Sequence, residues 1–347
     1  MYKSREETIK EVLPEIKAFR FDQINRALFD LDIHSFSQIT TLSKIERETI
    51  GDKISWMSIS LFKVFTSKNL DTHKAILKSQ DGQFFESVLM KNRKGQWTIC
   101  VSSQIGCAMR CVFCATGAMG LTRSLHANEI VDQYRFWKQY LNDSDEESKR
   151  ISNVVFMGMG EPFANIDNVK KAIHTWLDCT DLGPTKIMVS TVGIIVQLEK
   201  ILDDPDWPPV QIALSLHSPD QKKRLEIVPT TTPEFLNKLA DWSRRYAKKL
   251  GNRNHKLTFE YTLISGENDG PEFAKELASY IKKTAFDKIN VIPYNPVKSK
   301  DFETSDRERI DAFKKILRDR DVNVTERKTM GDDIDAACGQ LATADGK

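Results

Sequence analysis

The sequence has no apolar run near the roughly 18 residues that a membrane-crossing helix needs, so no spanning segment is expected. Its opening, MYKSREETIKEVLP, contains no apolar core of the signal-peptide kind, and a cytoplasmic location is the expectation. Neither sign of charge is in excess, with 51 Lys and Arg against 49 Asp and Glu, so a polyanion would have to bind at a local patch. Internal repeats and low-complexity tracts are also absent. With 40% apolar and 29% charged residues the composition is that of a folded globular protein, which excludes disorder or a fibre as the main state. A length of 347 residues suggests two domains, or one large one with an extension.

Cysteine is scarce, but it is not scattered. Of the six, Cys100, Cys107, Cys111 and Cys114 lie within fifteen residues, while Cys179 and Cys338 stand apart. Without a secretory signal, such clustering points to metal or redox chemistry rather than to a disulfide framework. Cys107-Ala-Met-Arg-Cys111-Val-Phe-Cys114 directly follows a strand-like run. Three thiolates can hold a four-iron cluster and leave one iron open to an outside ligand. The other reading of the trio is a zinc site completed by a distant ligand such as Cys100 or a His.

The first eighty or so residues look mainly helical. Ser4-Arg5-Glu6-Glu7 reads as a capping box ahead of Ile9, Val12, Leu13 and Ile16, and Phe21, Ile24, Leu28 and Phe29 follow at helical spacing. Short β-like runs come next, around 75–77 and 87–90. Beyond a boundary near 85, strands expected at 97–102, 153–157, 186–191, 210–216, 257–263 and 288–292 alternate with helices. The helices are expected at 127–141, 166–178, 194–203, 233–250, 271–284 and 305–319, the last opened by a capping box at Ser305. Six βα units imply a parallel sheet with ligands at the carboxyl ends of its strands, in an open sheet or a partial barrel. The expected division is a helical N-terminal unit, 1–85, a core, 86–341, and a short tail, 342–347.

The Cys-x3-Cys-x2-Cys spacing, with Phe113 before the third thiol, resembles the radical S-adenosylmethionine (SAM) superfamily. More specific words surround it: Cys100-Val-Ser-Ser-Gln-Ile-Gly-Cys107, Phe156-Met-Gly-Met-Gly-Glu-Pro162, Ser190-Thr-Val-Gly193, Ser215-Leu-His217, Tyr294-Asn-Pro296 and Gly331-Asp-Asp-Ile-Asp-Ala-Ala-Cys-Gly-Gln-Leu341. Together they resemble the RlmN/Cfr family of RNA adenine methyltransferases, collinearly from about residue 86 to 341. Pro162 and the Asp332-Asp333 pair are more like the branch that methylates carbon 2 than the branch that methylates carbon 8.

That resemblance implies an α/β fold, a partial six-stranded βα barrel of radical SAM type with a small, mainly helical N-terminal domain that binds RNA. It implies an SAM-dependent RNA methyltransferase whose cofactors are a [4Fe-4S] cluster on Cys107, Cys111 and Cys114 and SAM. SAM would be contacted by Gly160, Glu161, Ser190, Ser215, Leu216, His217 and Asn295. Carbon 2 of adenine is electron-poor and does not attack a methyl group, so the cofactor must supply radical chemistry while the protein orients and shields. By resemblance, Cys338 first becomes a methylcysteine, its methyl carbon becomes a radical that joins the adenine, and Cys100 resolves the adduct by forming a disulfide with Cys338. Glu86 stands at the place of the family's proton acceptor. A carboxylate or the Cys100 thiolate could serve as that base.

The implied partners are 23S rRNA in the peptidyl-transferase region, adenine 37 of some tRNAs, and a reductant such as flavodoxin or ferredoxin, with no membrane and a monomeric chain. Phosphate contacts are expected from Lys91-Asn-Arg93-Lys94, Arg244-Arg245 with Lys248-Lys249, or Arg327-Lys328. Thr230-Thr231-Thr232-Pro233 departs from the family pattern and puts substrate-loop contacts in doubt. Two other readings stay open: a radical SAM enzyme acting on a small molecule, and an RNA-binding factor with a structural cluster.

Overall fold

The computed structural model describes residues 3–251, 255–297 and 301–342, so all but Ala342 of the tail lies outside the described residues. The strands in chain order are Ile59–Thr66 (β1), Thr72–Ser79 (β2), Phe84–Lys91 (β3), Trp97–Cys100 (β4), Gln104–Gly106 (β5), Leu121–Ser124 (β6), Ile151–Phe156 (β7), Ile187–Thr191 (β8), Gln211–Ser215 (β9), Leu257–Leu263 (β10), Lys288–Pro293 (β11) and Asn323–Glu326 (β12). The helices are Arg5–Val12 (α1), Ala18–Leu28 (α2), Lys44–Gly51 (α3), Ala115–Met119 (α4), Ala127–Asn142 (α5), Ile166–Cys179 (α6), Ile195–Asp203 (α7), Gln221–Ile227 (α8), Phe235–Leu250 (α9), Pro271–Ile281 (α10) and Arg307–Arg318 (α11).

Ten strands form one open sheet in the order β1-β2-β3-β4-β7-β8-β9-β10-β11-β12, and β5 with β6 makes a separate hairpin. From β4 to β12 every pairing is parallel. The six expected βα units are present, each strand within two residues of its expected limits. β10 is apolar or buried at every position, as a strand covered on both faces should be. The apolar stripes of α5, α6 and α9 bury Trp137, Trp176 and Trp242 against the sheet.

Two features differ from the expectation. Residues 59–91 form three antiparallel strands that continue the barrel's own sheet, so the boundary at 85 falls inside β3 rather than between a helical unit and the core. β1 was hidden because a bulge between Leu61 and Lys63 breaks its period of two and leaves Leu61 and Phe62 exposed on an edge strand. The helical part ends near residue 51 and has its own small core, including Ile9, Ile24, Phe36 and Ile50. A buried network ties it to α5: Arg5 donates to Asp132 at 2.6 Å, and Arg135 donates to Asp132 at 2.5 Å and to the Leu28 carbonyl at 2.7 Å. Ser4 caps α1 as expected. α11, however, is capped by Asp306, because the buried Ser305 hydroxyl is committed to Asp269 at 2.8 Å.

Candidate active site

The three clustered cysteines sit on a loop closed by the β5–β6 hairpin. Gly106 (φ +74°) makes this closure possible, since a Cβ there would lie 1.9 Å from the Gly120 carbonyl oxygen. The Cys107 N–H donates to that same oxygen at 2.8 Å, and the Cys114 N–H donates to the Cys111 carbonyl at 3.1 Å. Cys107, Cys111 and Cys114 line a cavity at the carboxyl end of the barrel. Burial pushes the Cys107 thiol up to about 12 and the Cys111 thiol well above its ordinary value, and the neighbouring thiols add to both. A positively charged metal core removes that mutual repulsion, which is the chemistry such a trio needs. Among the described residues no three His, Cys, Asp or Glu side chains gather tightly enough to hold one metal ion. The thiolates of a cluster bind different irons and need not converge on one point.

Beside the thiols runs the turn after β7. Gly160 (φ +98°) packs so close to the loop that a Cβ would lie 2.5 Å from Gln104 Cβ, and the Glu161 N–H donates to Gln104 Oε1 at 2.9 Å. The buried Glu161 carboxylate accepts from the N–H groups of Phe163 at 2.9 Å and Val192 at 2.8 Å. Burial pushes its pKa up, and these bonds with one from the Thr191 hydroxyl pull it back. Ser190 and Ser215, at the ends of β8 and β9, line the same cavity. His217 lines it too, in left-handed backbone (φ +59°), with its ring edge-on to Phe113 at 4.7 Å. His217 Nδ1 accepts from the Thr262 N–H at 3.0 Å, which puts the ring proton on Nε2, and burial with nearby Arg224 pushes its pKa down to about 3. Leu216 is different: its side chain is wholly buried in the main core, and its backbone pairs with Glu260 and Ser218.

Cys338 lines this cavity and also a second one, shared with Cys100, Arg327 and Lys328. The thiol of Cys338 opens onto both spaces. The protein packed around the Cys338 thiol raises its pKa even though the side chain is exposed, and Arg327 opposes that rise, while burial and Cys338 push the Cys100 thiol up. The pairing of Cys100 with Cys338 is not formed here, and both are free thiols. The loop carrying Cys338 is clasped from three sides. The Ala115 N–H donates to the Gly339 carbonyl at 2.8 Å and the Thr116 hydroxyl to the Leu341 carbonyl at 2.6 Å. Asn295 Nδ2 donates to the Cys338 carbonyl at 3.0 Å, so Asn295 sits on this loop and in the second cavity rather than in the first. From the antiparallel extension, Lys74 Nζ donates to the Asp335 carbonyl at 3.1 Å.

Glu86 lines neither cavity. It is buried on β3 beside Lys74, 3.4 Å from its ammonium, and Lys74 thereby links it to the Cys338 loop. The basic clusters are also tied up. Lys91 pairs with Glu146, Arg245 with Glu199 and Asp241, and Lys249 with Asp203, so these are mostly internally paired surfaces. Arg327 points inward, pairing with Glu260 at 2.9 Å, which only the parallel pairing of β10, β11 and β12 could reveal. In the departing segment, buried Thr231 is bonded by Arg224, whose guanidinium also donates to the carbonyls of Val192 at 2.6 Å and Ser215 at 3.1 Å. Glu260, Asn290 and Arg224 carried no motif signal. For Glu260 and Asn290 a charged or amide residue inside a buried strand was the one available hint, and Arg224, on α8, offered none.

Among the described residues no helix is long and apolar enough to cross a membrane. Residues 101–278 match the family model of the Radical SAM superfamily, and the chain belongs to that superfamily. It is similar to a radical SAM methyltransferase from Sphaerobacter thermophilus of known structure, at a TM-score of 0.86 and 33% identity over 98% of this chain and 97% of the other. Its curated relatives include the "Probable dual-specificity RNA methyltransferase RlmN" of Dictyoglomus thermophilum, 40% identical over 93% of this chain and 90% of that one. The protein of the same name from Microcystis aeruginosa is 37% identical over 94% and 93%. The chain belongs to the RlmN family. Its cofactors are a [4Fe-4S] cluster and SAM.

Proposed function

We propose that this protein methylates carbon 2 of an adenine in the peptidyl-transferase region of 23S rRNA, and adenine 37 of tRNA, by way of a methyl group carried on Cys338. The observation that supports this best is the position of Cys338 in the wall between two cavities, one rimmed by three thiols and the other holding Cys100. When bound, the cluster and SAM supply the methyl group and the radical chemistry that adenine carbon 2 requires. Cys107, Cys111 and Cys114 would hold the cluster, and Gly160, Glu161, Ser190, Ser215 and His217 would seat SAM.

The second cavity suits an unstacked adenine, since a base must leave its stack to be modified. Lys328, which lines it, is 4.0 Å from Asp71 and mostly exposed, and could meet phosphate there. Cys338, clasped by Asn295 and α4, would carry its methyl carbon to the base. The adduct that forms joins protein and RNA through that carbon. The adduct gives up one electron, matching the one that cleavage of SAM takes up. Then, as the Cys100 thiolate attacks the Cys338 sulfur and a disulfide forms, the S–C bond breaks, its electron pair stays with the carbon on the adenine, and a proton completes the new methyl group. The carbon-2 proton passes to a base, Glu86 by resemblance and Cys100 as its rival. The helical unit before residue 51 is the proposed accessory RNA surface. The setting is cytoplasmic, the electron donor a flavodoxin or ferredoxin, and the chain a monomer.

Mass spectrometry of 23S rRNA and tRNA nucleosides from cells with and without the gene tests this reading. Loss of 2-methyladenosine on deletion is expected. Loss of 8-methyladenosine would move the protein to the carbon-8 branch, and no change in either would refute RNA methylation. In Cys100→Ala a covalent RNA–protein adduct should accumulate as a slow band on denaturing gels.

A further inference from the structure

The wall between the two cavities contains a buried carboxylate with one oxygen uncommitted. Glu260, on β10, is 2% exposed. Its Oε1 accepts from Arg327 at 2.9 Å and from Asn290 Nδ2 at 2.9 Å. Its Oε2 is buried and has no hydrogen-bond partner among the described residues. Glu260 lines the first cavity, with the three cysteines, and in the parallel sheet it is level with Ser215 on β9 and Asn290 on β11. Arg327, its partner, faces the second cavity.

A buried carboxylate oxygen left without a donor is costly, and native proteins rarely carry one unless a ligand supplies the missing hydrogen. The two bonds on Oε1 fix the group's rotation, so Oε2 is presented in one direction rather than being free to turn away. Burial raises the Glu260 pKa and Arg327 opposes that rise; in its 2.9 Å ion pair with Arg327 the group acts as the carboxylate partner, an acceptor. The matching ligand group is therefore an O–H or N–H donor on a molecule occupying the first cavity. An adenosyl group offers both, in its ribose hydroxyls and its exocyclic amine. The target adenosine has the same donors but belongs to the second cavity.

We infer that Glu260 Oε2 is a binding contact for the adenosyl group of SAM, held in place by Arg327 and Asn290. This rests on the reading of the first cavity as the cofactor site. Because Arg327 also borders Cys100 and Cys338, the same ion pair joins the cofactor side of the wall to the methyl-carrying side.

The test is calorimetric titration of SAM into the cluster-loaded protein carrying Cys338→Ala, under anaerobic conditions without reductant, so that neither methyl transfer to the thiol nor cleavage of SAM occurs. Glu260→Gln keeps an oxygen toward Arg327 and Asn290 but turns an NH2 toward the ligand's donor. Its affinity for SAM should fall roughly ten- to hundredfold, with the cluster absorbance retained. SAM analogues lacking the 2′-hydroxyl, the 3′-hydroxyl or the adenine amine identify the donor. The analogue missing it should bind the Cys338→Ala protein more weakly by a similar factor and should bind its Glu260→Gln form no worse than SAM does. If the Gln variant does not fold, Glu260→Asp, which withdraws Oε2 while keeping the charge, should show the same loss.

Unchanged SAM affinity in a folded variant overturns the inference. So does weakened binding of a substrate RNA hairpin with SAM affinity intact, which would assign Oε2 to the target adenosine. A wild-type protein that loads its cluster yet binds no SAM would refute the reading of the cavity itself, a result distinct from a failure of Glu260 alone.

Discussion

The two thiol sites of this protein are built in opposite ways. Cys107, Cys111 and Cys114 come from one short loop, shaped by a hairpin and by glycines that let backbone meet backbone. Cys100 and Cys338 come from nearly opposite ends of the core, and meet only because β4 and the loop after β12 border the same cavity. The local site tolerates little change in its loop but depends on few distant contacts. The distant one has an undemanding local sequence, yet it relies on clasps from Ala115, Thr116, Lys74 and Asn295 to bring Cys338 to its place.

Removing a thiol from each site separates them most sharply. Cys111→Ala should lose both iron and RNA methylation, whereas Cys338→Ala should lose methylation to the detection limit while keeping full iron content and SAM affinity. Iron analysis beside a methyl-transfer assay checks both, and a Cys338→Ala protein that still methylates RNA would remove the distant site from the chemistry.

Acid should weaken the local site first. The His217 ring that packs on Phe113 is pushed down to about 3, against about 6.5 in an unfolded chain. Between those values the unfolded chain takes up a proton that the folded chain refuses, so this contribution is fully present above pH 6.5 and is lost as the pH falls toward 3. The loss at pH 4.5 should be on the order of 3 kcal/mol. Urea unfolding at pH 7 and pH 4.5 measures it, and His217→Gln, which cannot take that proton, should show a smaller difference by about that amount.

Gly160→Ala sharpens the comparison further. It forces an alanine into left-handed backbone and against Gln104, at a cost of about 2 kcal/mol or more. Thermal melting should register that loss, and cluster retention should fall with it, since Gln104 leads directly into the cysteine loop. The smallest effect belongs to the distant site. Thr116→Val removes the bond to the Leu341 carbonyl, worth about 1 kcal/mol, and should speed alkylation of Cys338 severalfold while iron content stays constant. Equal alkylation rates would mean that the clasp from α4 does not hold the loop.

Much of the scaffold was legible because its signals are local. Alternating strands and amphipathic helices after residue 97 bury one face each, and the same packing that selects those residues makes their period visible. β1 was not legible, since it is a bulged edge strand with Leu61 and Phe62 exposed. The capping residue of α11 was misplaced by one position because Asp269, a residue from elsewhere in the chain, claims the Ser305 hydroxyl. Arg327 read as a surface cation in a basic pair, and its inward turn depends on Glu260 standing two strands away.

The sequence by itself determined the cysteine loop, the glycine turn after β7 and the succession of βα units, because each is specified by residues within a few positions of one another. Only the tertiary structure decided that Cys338 stands between two cavities, that Glu86 is buried against Lys74, that Asn295 holds the Cys338 loop, and that Glu260 leaves one buried oxygen without a hydrogen bond among the described residues. Those facts depend on which strands become neighbours, and strand order and register join residues whose separation along the chain leaves no periodic trace.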